Sequence, residues 1–178
     1  MIGAVERCAA CGFDYDGLER ADVPPAFTAL GEEFRSELSA RASNEVLRRR
    51  PRPEVWSALE YACHVRDVFL WQRDRLYLAL AEDKPTFVRM YRDERARLAR
   101  YNQQDPRIVA DQLVFASQLI AQAFADLESA AWERRFVYNW PERQEQDVAW
   151  LAAHTVHEGR HHLRDFEAVA AGRAPSRE

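Results

Sequence analysis

The stretch HTVHEGRHHLRDF, residues 154–166, carries the most informative pattern for predicting the fold of this chain. It holds four of the five histidines in the sequence of 178 residues. His157 and His161 are four positions apart, so on a helix they lie one turn from each other on the same face, and their ring nitrogens can reach one ion. The spacing therefore predicts a helix with a metal-binding face, running from about Gln146 to Ala171 with Gly172 as its C-terminal cap.

The rest of the chain has the same helical pattern. Apolar residues recur at intervals of three and four, and strand signals are weak because no stretch sustains an apolar and polar alternation. This predicts three more long helices, over residues 23–44, 54–82 and 106–130. The charged stretch MYRDERARLARYNQQD, residues 90–105, is predicted to be helical as well. We therefore expect an all-α protein, a four-helix bundle with a long crossover between its second and third helices.

Length and composition exclude several classes of protein. The formal net charge is −4 and 47% of the residues are hydrophobic, which gives no reason to expect binding to nucleic acid or to an anionic membrane. No apolar run approaches the ~20 residues of a membrane span, and the first residues lack a signal-peptide pattern. We expect a cytoplasmic protein with one domain over residues 21–172, an N-terminal cysteine-containing segment over 1–20 and a tail over 173–178.

Two imidazoles bind a divalent metal poorly without a third ligand. His64 lies in the middle of the second predicted helix, where it can point into the bundle. Together with His157 and His161 it makes a complete site of three ligands. The same residues contain H-E-x-x-H, the motif of zinc proteases, but a protease needs a ligand further along the chain and a sheet for the peptide. Neither is evident, so a protease is disfavoured.

Two motifs resemble those of a known family. The stretch WSALEYACHVRDV, residues 56–68, resembles the helix-two signature of the DinB-like superfamily, and residues 154–166 resemble its helix-four signature. Residues 95–106 and 127–142 look like the actinobacterial branch of that family. The superfamily consists of metal-dependent enzymes, including bacterial thiol transferases and mycothiol-dependent maleylpyruvate isomerases. The similarity covers about residues 20–172.

The resemblance implies a bundle that is commonly a homodimer and a metal held by one histidine of helix two and two ligands of helix four. Carried over to this chain, the ligands are His64, His157 and His161. In the isomerase branch the first ligand of helix four is a glutamate, and the position is assigned here to His157, which departs from that branch. Residues expected around the ligands, to orient them or to face the substrate, are Glu60, Asp67, His154 and His162.

The expected chemistry depends on an open metal coordination position. A cation deprotonates a bound thiol, so the resemblance favours a transferase or isomerase that uses mycothiol or another small thiol on a small-molecule substrate. A metal-dependent hydrolase and a noncatalytic, stress-associated metal-binding bundle stay open as alternatives. Zinc is the expected metal, and nickel or iron would also suit imidazole ligands. Candidate residues at the mouth of the site, for binding cofactor or substrate, are Arg92, Arg95, Tyr101 and Tyr138.

Cys8 and Cys11 form a C-x-x-C pair, which is half of a tetrahedral zinc site. The other two ligands would have to come from elsewhere in the chain or from the same segment of a second subunit. The alternative is a pair of reduced structural thiols. A thioredoxin-like redox pair is disfavoured because no βαβ pattern surrounds the cysteines.

Overall fold

The computed structural model describes residues 7–41 and 45–175, and the outer ends of the predicted N-terminal segment, first helix and tail (residues 1–6, 42–44 and 176–178) lie outside this part. The four-helix bundle and its crossover are confirmed: α1 and α2 both pack against α4, and α2 also packs against α5. The helices are α1 (Val23–Arg41), α2 (Ala58–Ala81), α3 (Arg92–Leu98), α4 (Pro106–Ala125) and α5 (Val148–Ala170).

Helix α2 begins four residues later than predicted because Ser57 caps it. The Ser57 hydroxyl accepts a hydrogen bond from the backbone N–H of Glu60 (3.2 Å), and the Glu60 carboxylate accepts one from the backbone N–H of Ser57 (2.8 Å). This reciprocal capping box satisfies two N–H groups that the first turn of a helix leaves without a partner. It fixes the start of the helix that carries His64.

A hairpin that the sequence pattern did not predict is inserted between α4 and α5. Strand β1 (Arg135–Asn139) pairs antiparallel with β2 (Arg143–Asp147). Three successive residues of β1 are buried and β2 is polar throughout, so neither strand shows the alternation by which strands are recognised. Asp147 then caps α5 by accepting a hydrogen bond from the backbone N–H of Trp150 (2.8 Å), which moves the start of α5 to Val148.

The crossover between α2 and α4 contains the short helix α3, so the predicted helix in the charged stretch is confirmed over Arg92–Leu98. A parallel bridge between Thr86 and Val137 ties the crossover to β1. Helix α4 is long and apolar enough to cross a membrane by length and composition alone, contrary to the sequence expectation. In this fold α1 and α2 pack against it.

Helix α1 packs closely against α4 at Gly31. A Cβ atom at this position would lie 2.1 Å from the Ser117 hydroxyl oxygen and 2.7 Å from the Ser117 Cβ. We expect Gly31→Ala to lower the free energy of unfolding by about 1–2 kcal/mol, because overpacking costs ~1–3 kcal/mol and alanine recovers up to ~1 kcal/mol in helix propensity. Urea denaturation of Gly31→Ala, with and without Ser117→Gly, measures this. A midpoint unchanged by Gly31→Ala alone would contradict the close contact.

Candidate metal centre and its cavity

Helix α5 carries two interleaved pairs of potential ligands. His157 and His161 share one face, and Glu158 and His162, each one residue later, share a face rotated by about 100° around the axis. Both pairs have the four-residue spacing that lets two side chains meet at one ion. The packing of α5 determines which pair faces His64.

His64, Glu158 and His162 form the first cluster, which we call the three-ligand group. Their ligand atoms all lie within 4.8 Å of one another. The Glu158 Oε2 atom is 3.8 Å from His64 Nε2 and 3.6 Å from His162 Nε2. Both histidines are buried and Glu158 is half-buried. The group therefore joins helix α2 to helix α5 around one point.

The environment of the His64 imidazole is that of a side chain able to bind a metal ion. Both its ring nitrogens are buried without a hydrogen-bond partner in the part of the chain that the structure describes, an arrangement that ordinarily costs a buried polar group ~1–3 kcal/mol. Burial lowers the pKa of His64, which favours the neutral, metal-binding form. The ring lies between Trp56 and His162, with centroid distances of 4.9 and 5.0 Å. A cation accepting a nitrogen lone pair would satisfy one of these atoms.

Glu158 and His162 have complementary charges. Burial alone would raise the pKa of Glu158, but the contacts with His162 and His64 outweigh it and hold the pKa well below its ordinary value. Burial alone would lower the pKa of His162, but hydrogen bonds with Asp165 and Glu158 outweigh it and raise the pKa to about 9. His162 Nδ1 lies 3.0 Å from Asp165 Oδ2, so its Nε2 faces the group. A cation would take the place of the proton on that nitrogen.

The structure does not bring together the three ligands expected from the sequence. Among the described residues, no cluster with ligand atoms within 4.8 Å of one another combines His64 with His157 or His161. These two histidines instead form a second cluster with Cys8 and Cys11. The physical reason is that the pair one residue later, Glu158 and His162, lies on the face of α5 nearest to His64.

Sequence reasoning did not include Glu158 among the candidate ligands and placed His162 around them rather than among them. A signal for both was present, because the stretch H-E-x-x-H-H contains a second pair with four-residue spacing. The resemblance gave another signal, since the isomerase branch has a glutamate as its first helix-four ligand. In this chain Glu158 is a glutamate available for that position.

The two carboxylates expected to orient His64 have other partners in the structure, which corrects that expectation. Glu60 accepts hydrogen bonds from Ser57 and from the Arg50 guanidinium (2.8 Å to Nε). Asp67 accepts one from the Tyr101 hydroxyl (2.5 Å). Both carboxylates thus bind neighbours other than His64. They stabilise the start of α2 and its contact with the crossover.

His154 lies on the cavity wall, one turn before His157. Its ring stacks on Trp150 with a centroid distance of 4.5 Å and an interplanar angle of 9°. Its nitrogens lie near two hydroxyl groups, that of Tyr15 at 3.3 Å and that of Tyr138 at 3.2 Å. These contacts hold His154 at the wall of the cavity, outside the three-ligand group.

A cavity of about 760 Å³ adjoins the three-ligand group, and His64 and Glu158 belong to its lining. Of the four residues predicted at the mouth of the site, Arg92 and Tyr138 line this cavity. The other two lie beside Asp67: Tyr101 is fully buried, and Arg95 lies over the Trp71 ring, 4.8 Å from its centroid. The aromatic residues of the lining are Tyr15, Trp71, Tyr91, Tyr138, Trp140 and Trp150.

Arg75, another residue of the lining, supplies positive charge to the cavity. It is 8% exposed and donates hydrogen bonds to the Tyr138 hydroxyl (3.3 Å), to the Gln72 side-chain oxygen (3.1 Å) and to the backbone carbonyl of Val88. Among the described residues, no carboxylate forms a salt bridge with its guanidinium. Because a buried charge is costly without a counter-charge, this position suits an anionic ligand group.

Comparison with known proteins agrees with this architecture. The sequence profile of the DinB superfamily matches residues 26–166. Among solved structures, the chain is similar to YfiT from Bacillus subtilis, described as a probable metal-dependent hydrolase with an unusual four-helix bundle topology. The TM-score is 0.77 and the identity 13%, over 85% of this chain and 86% of YfiT, so the likeness concerns the fold. No curated protein matches the chain.

Proposed function

Because this chain belongs to the DinB superfamily, we propose that it is an enzyme that binds a divalent metal through His64, Glu158 and His162. Its reaction is the thiol-dependent transfer or isomerisation of a small anionic molecule. One observation carries this proposal: buried His64, whose ring nitrogens have no hydrogen-bond partner among the described residues, forms one cluster with a carboxylate and a second imidazole beside a large cavity. Two imidazoles and one carboxylate suit zinc, which we propose as the metal, with nickel and iron as alternatives.

The three-ligand group would leave at least one coordination position to the cavity, as catalytic sites do and closed structural sites do not. A divalent ion bound there lowers the pKa of a bound thiol and so supplies a thiolate. The chain's own residues determine the geometry. Asp165 holds the His162 ring so that Nε2 faces the group, and Glu158 supplies negative charge between the two imidazoles.

The composition of the cavity supports an external nucleophile. Among the described residues, its lining contains no serine, threonine or lysine, three of the side-chain types that form covalent intermediates in enzymes. The cysteine that the described lining contains, Cys8, lies in the second cluster. The volume of about 760 Å³ lies in the upper part of the ~300–1,000 Å³ range of ligand sites. This leaves room for a low-molecular-weight thiol such as mycothiol together with a small electrophile.

The arginines support anionic ligands at two places. Arg92 begins α3 and lies near enough to His64 to contribute to the lowering of its pKa, so it can bind a substrate carboxylate close to the three-ligand group. Arg75 is eleven residues after His64 on α2, about 16 Å along the helix axis. An anionic group at Arg75 therefore belongs to an extended molecule, which fits the thiol better than the small substrate.

Turnover assays test the proposed reaction. Protein purified without a polyhistidine tag is loaded with zinc, nickel or iron and assayed with small electrophiles, each as a carboxylate and as its neutral amide, with mycothiol, glutathione or no thiol. We expect turnover that requires both metal and thiol and prefers the carboxylate, because Arg92 lies near the ligands. Protein stripped by a chelator, before and after metal is restored, is the control.

Two outcomes would overturn the thiol-dependent reaction. Metal-dependent turnover of esters or amides without any thiol would support hydrolysis, the activity in the description of YfiT. Stable metal binding without turnover of any substrate would support the noncatalytic alternative.

We also propose that the protein is cytoplasmic and that it forms a homodimer. All three cysteines are free thiols in the structure, as a reducing compartment favours.

A further inference from the structure

Residues 8–13 of the N-terminal segment fold as a tight turn against α5. The backbone N–H of Cys8 donates to the Phe13 carbonyl (2.8 Å), and that of Gly12 donates to the Cys8 carbonyl (2.8 Å). Gly12 has φ = +74°, a left-handed conformation that glycine adopts without strain. The Arg164 guanidinium donates to the Ala10 carbonyl, which ties the turn to α5. These contacts hold Cys8 and Cys11 in fixed positions.

The turn brings both thiols to the face of α5 that carries His157 and His161. The two sulfur atoms and one nitrogen of each imidazole all lie within 4.8 Å of one another. Cys8 Sγ is 3.7 Å from His161 Nδ1. Ligand bonds of ~2.3 Å for sulfur and ~2.05 Å for nitrogen at the tetrahedral angle would separate these atoms by ~3.6 Å. The four side chains therefore have the composition and the spacing of a closed zinc site.

Both imidazoles are oriented as zinc-binding histidines usually are, with a polar partner on the nitrogen that does not bind metal. His157 Nδ1 lies 2.9 Å from the Tyr15 hydroxyl, while its Nε2 is buried without a hydrogen-bond partner among the described residues. His161 Nε2 lies 3.5 Å from Asp165 Oδ2, which leaves Nδ1 facing Cys8.

We propose that Cys8, Cys11, His157 and His161 bind a second, structural zinc ion that fastens the N-terminal segment to α5. All four ligands come from one chain, so no second subunit is needed to complete the site. With four protein ligands the ion has no open position, in contrast to the three-ligand group. Cys8, Ala9, Ala10 and Tyr15 all line the large cavity. The ion thereby builds one wall of the substrate cavity, and its binding does not depend on the proposed reaction.

Metal analysis and cobalt spectroscopy of the full chain test this site. We expect two zinc ions per chain in the wild-type protein and one in Cys8→Ser/Cys11→Ser. Cys63→Ala is the matched control, because Cys63 is a buried thiol in α2 that belongs to neither cluster, and it should keep two. Wild-type protein loaded with Co²⁺ should show the near-ultraviolet charge-transfer absorption of thiolate bound to cobalt.

The outcomes are distinct from those that test the three-ligand group. Glu158→Gln/His162→Gln should lose the other metal and keep the thiolate absorption. If this variant lost no metal, the three-ligand group would be contradicted as a metal site, whereas the proposal for the second site would be unaffected. Wild-type protein without thiolate absorption would overturn the second site even if the cysteine variant did not fold. Two zinc ions retained by Cys8→Ser/Cys11→Ser would overturn it as well.

Discussion

Glu158→Ala/His162→Ala is expected to lose the metal of the three-ligand group and to lower kcat/KM by more than about 100-fold. The reason for the size is that loss of a residue that only orients a ligand already costs ~10–100-fold, and this variant removes two ligands directly. His64 would be left as a single buried imidazole beside the cavity, which binds a divalent ion weakly. Zinc content per chain and kcat/KM with the thiol-dependent substrate are the measurements.

The matched control is His157→Ala/His161→Ala. It removes two side chains from the same helix with the same four-residue spacing, one residue earlier. It should lose the thiolate-bound cobalt spectrum and keep the metal of the three-ligand group. The reverse result, in which His157→Ala/His161→Ala loses the metal shared with His64 and Glu158→Ala/His162→Ala keeps it, would restore the combination expected from the sequence.

The periodicity of apolar residues was enough to predict the bundle. The four long helices and the short helix in the crossover follow from spacings of three and four, and local capping residues such as Ser57 account for the ends that were misplaced. The hairpin could not be predicted in this way. Its strand β2 is polar throughout and pairs only with β1, so its conformation depends on a tertiary contact that leaves no periodic signal.

The sequence also predicted that a histidine of α2 faces a pair of candidate ligands on α5, and His64, Glu158 and His162 have that arrangement. It did not determine the register, because H-E-x-x-H-H offers two pairs one residue apart. Packing decides between them. A Cβ atom on Gly159 would lie 2.7 Å from Leu30 Cδ1 and 3.2 Å from Phe69 Cζ, so the face of α5 centred on Gly159 is pressed into the core. Glu158 and His162 flank that face and turn towards α2.

Local sequence patterns could not identify the two residues that complete the site of Cys8 and Cys11, for another reason. Cys8 and His161 are 153 positions apart in the chain. Their contact depends on the turn at Gly12 and on how the N-terminal segment lies across α5. The spacing of residues around the cysteines, or around the histidines of α5, carries no information on that contact. The sequence could therefore indicate the two cysteine ligands but not the two histidines that complete the site.

Asp165→Asn is expected to weaken metal binding at both clusters by about 10–100-fold. Asp165 is buried, and its Oδ2 atom lies 3.0 Å from His162 Nδ1 and 3.5 Å from His161 Nε2. These two histidines are neighbours in sequence, but each belongs to a different cluster. One carboxylate therefore orients an imidazole of the three-ligand group and an imidazole of the Cys8 cluster. The amide that replaces it is neutral and holds both N–H groups less strongly.

Competition with chelators of graded strength measures both affinities in the same protein, since only one of the two sites gives a thiolate spectrum with cobalt. Asp147→Asn is the matched control, because Asp147 immediately precedes the same helix and caps its N-terminus, where asparagine serves as well as aspartate. Loss of affinity at only one site in Asp165→Asn would mean that the other histidine is held by different contacts. A parallel loss at both, with Asp147→Asn unchanged, would mean that the metal forming the cavity wall and the metal facing the substrate depend on one buried carboxylate.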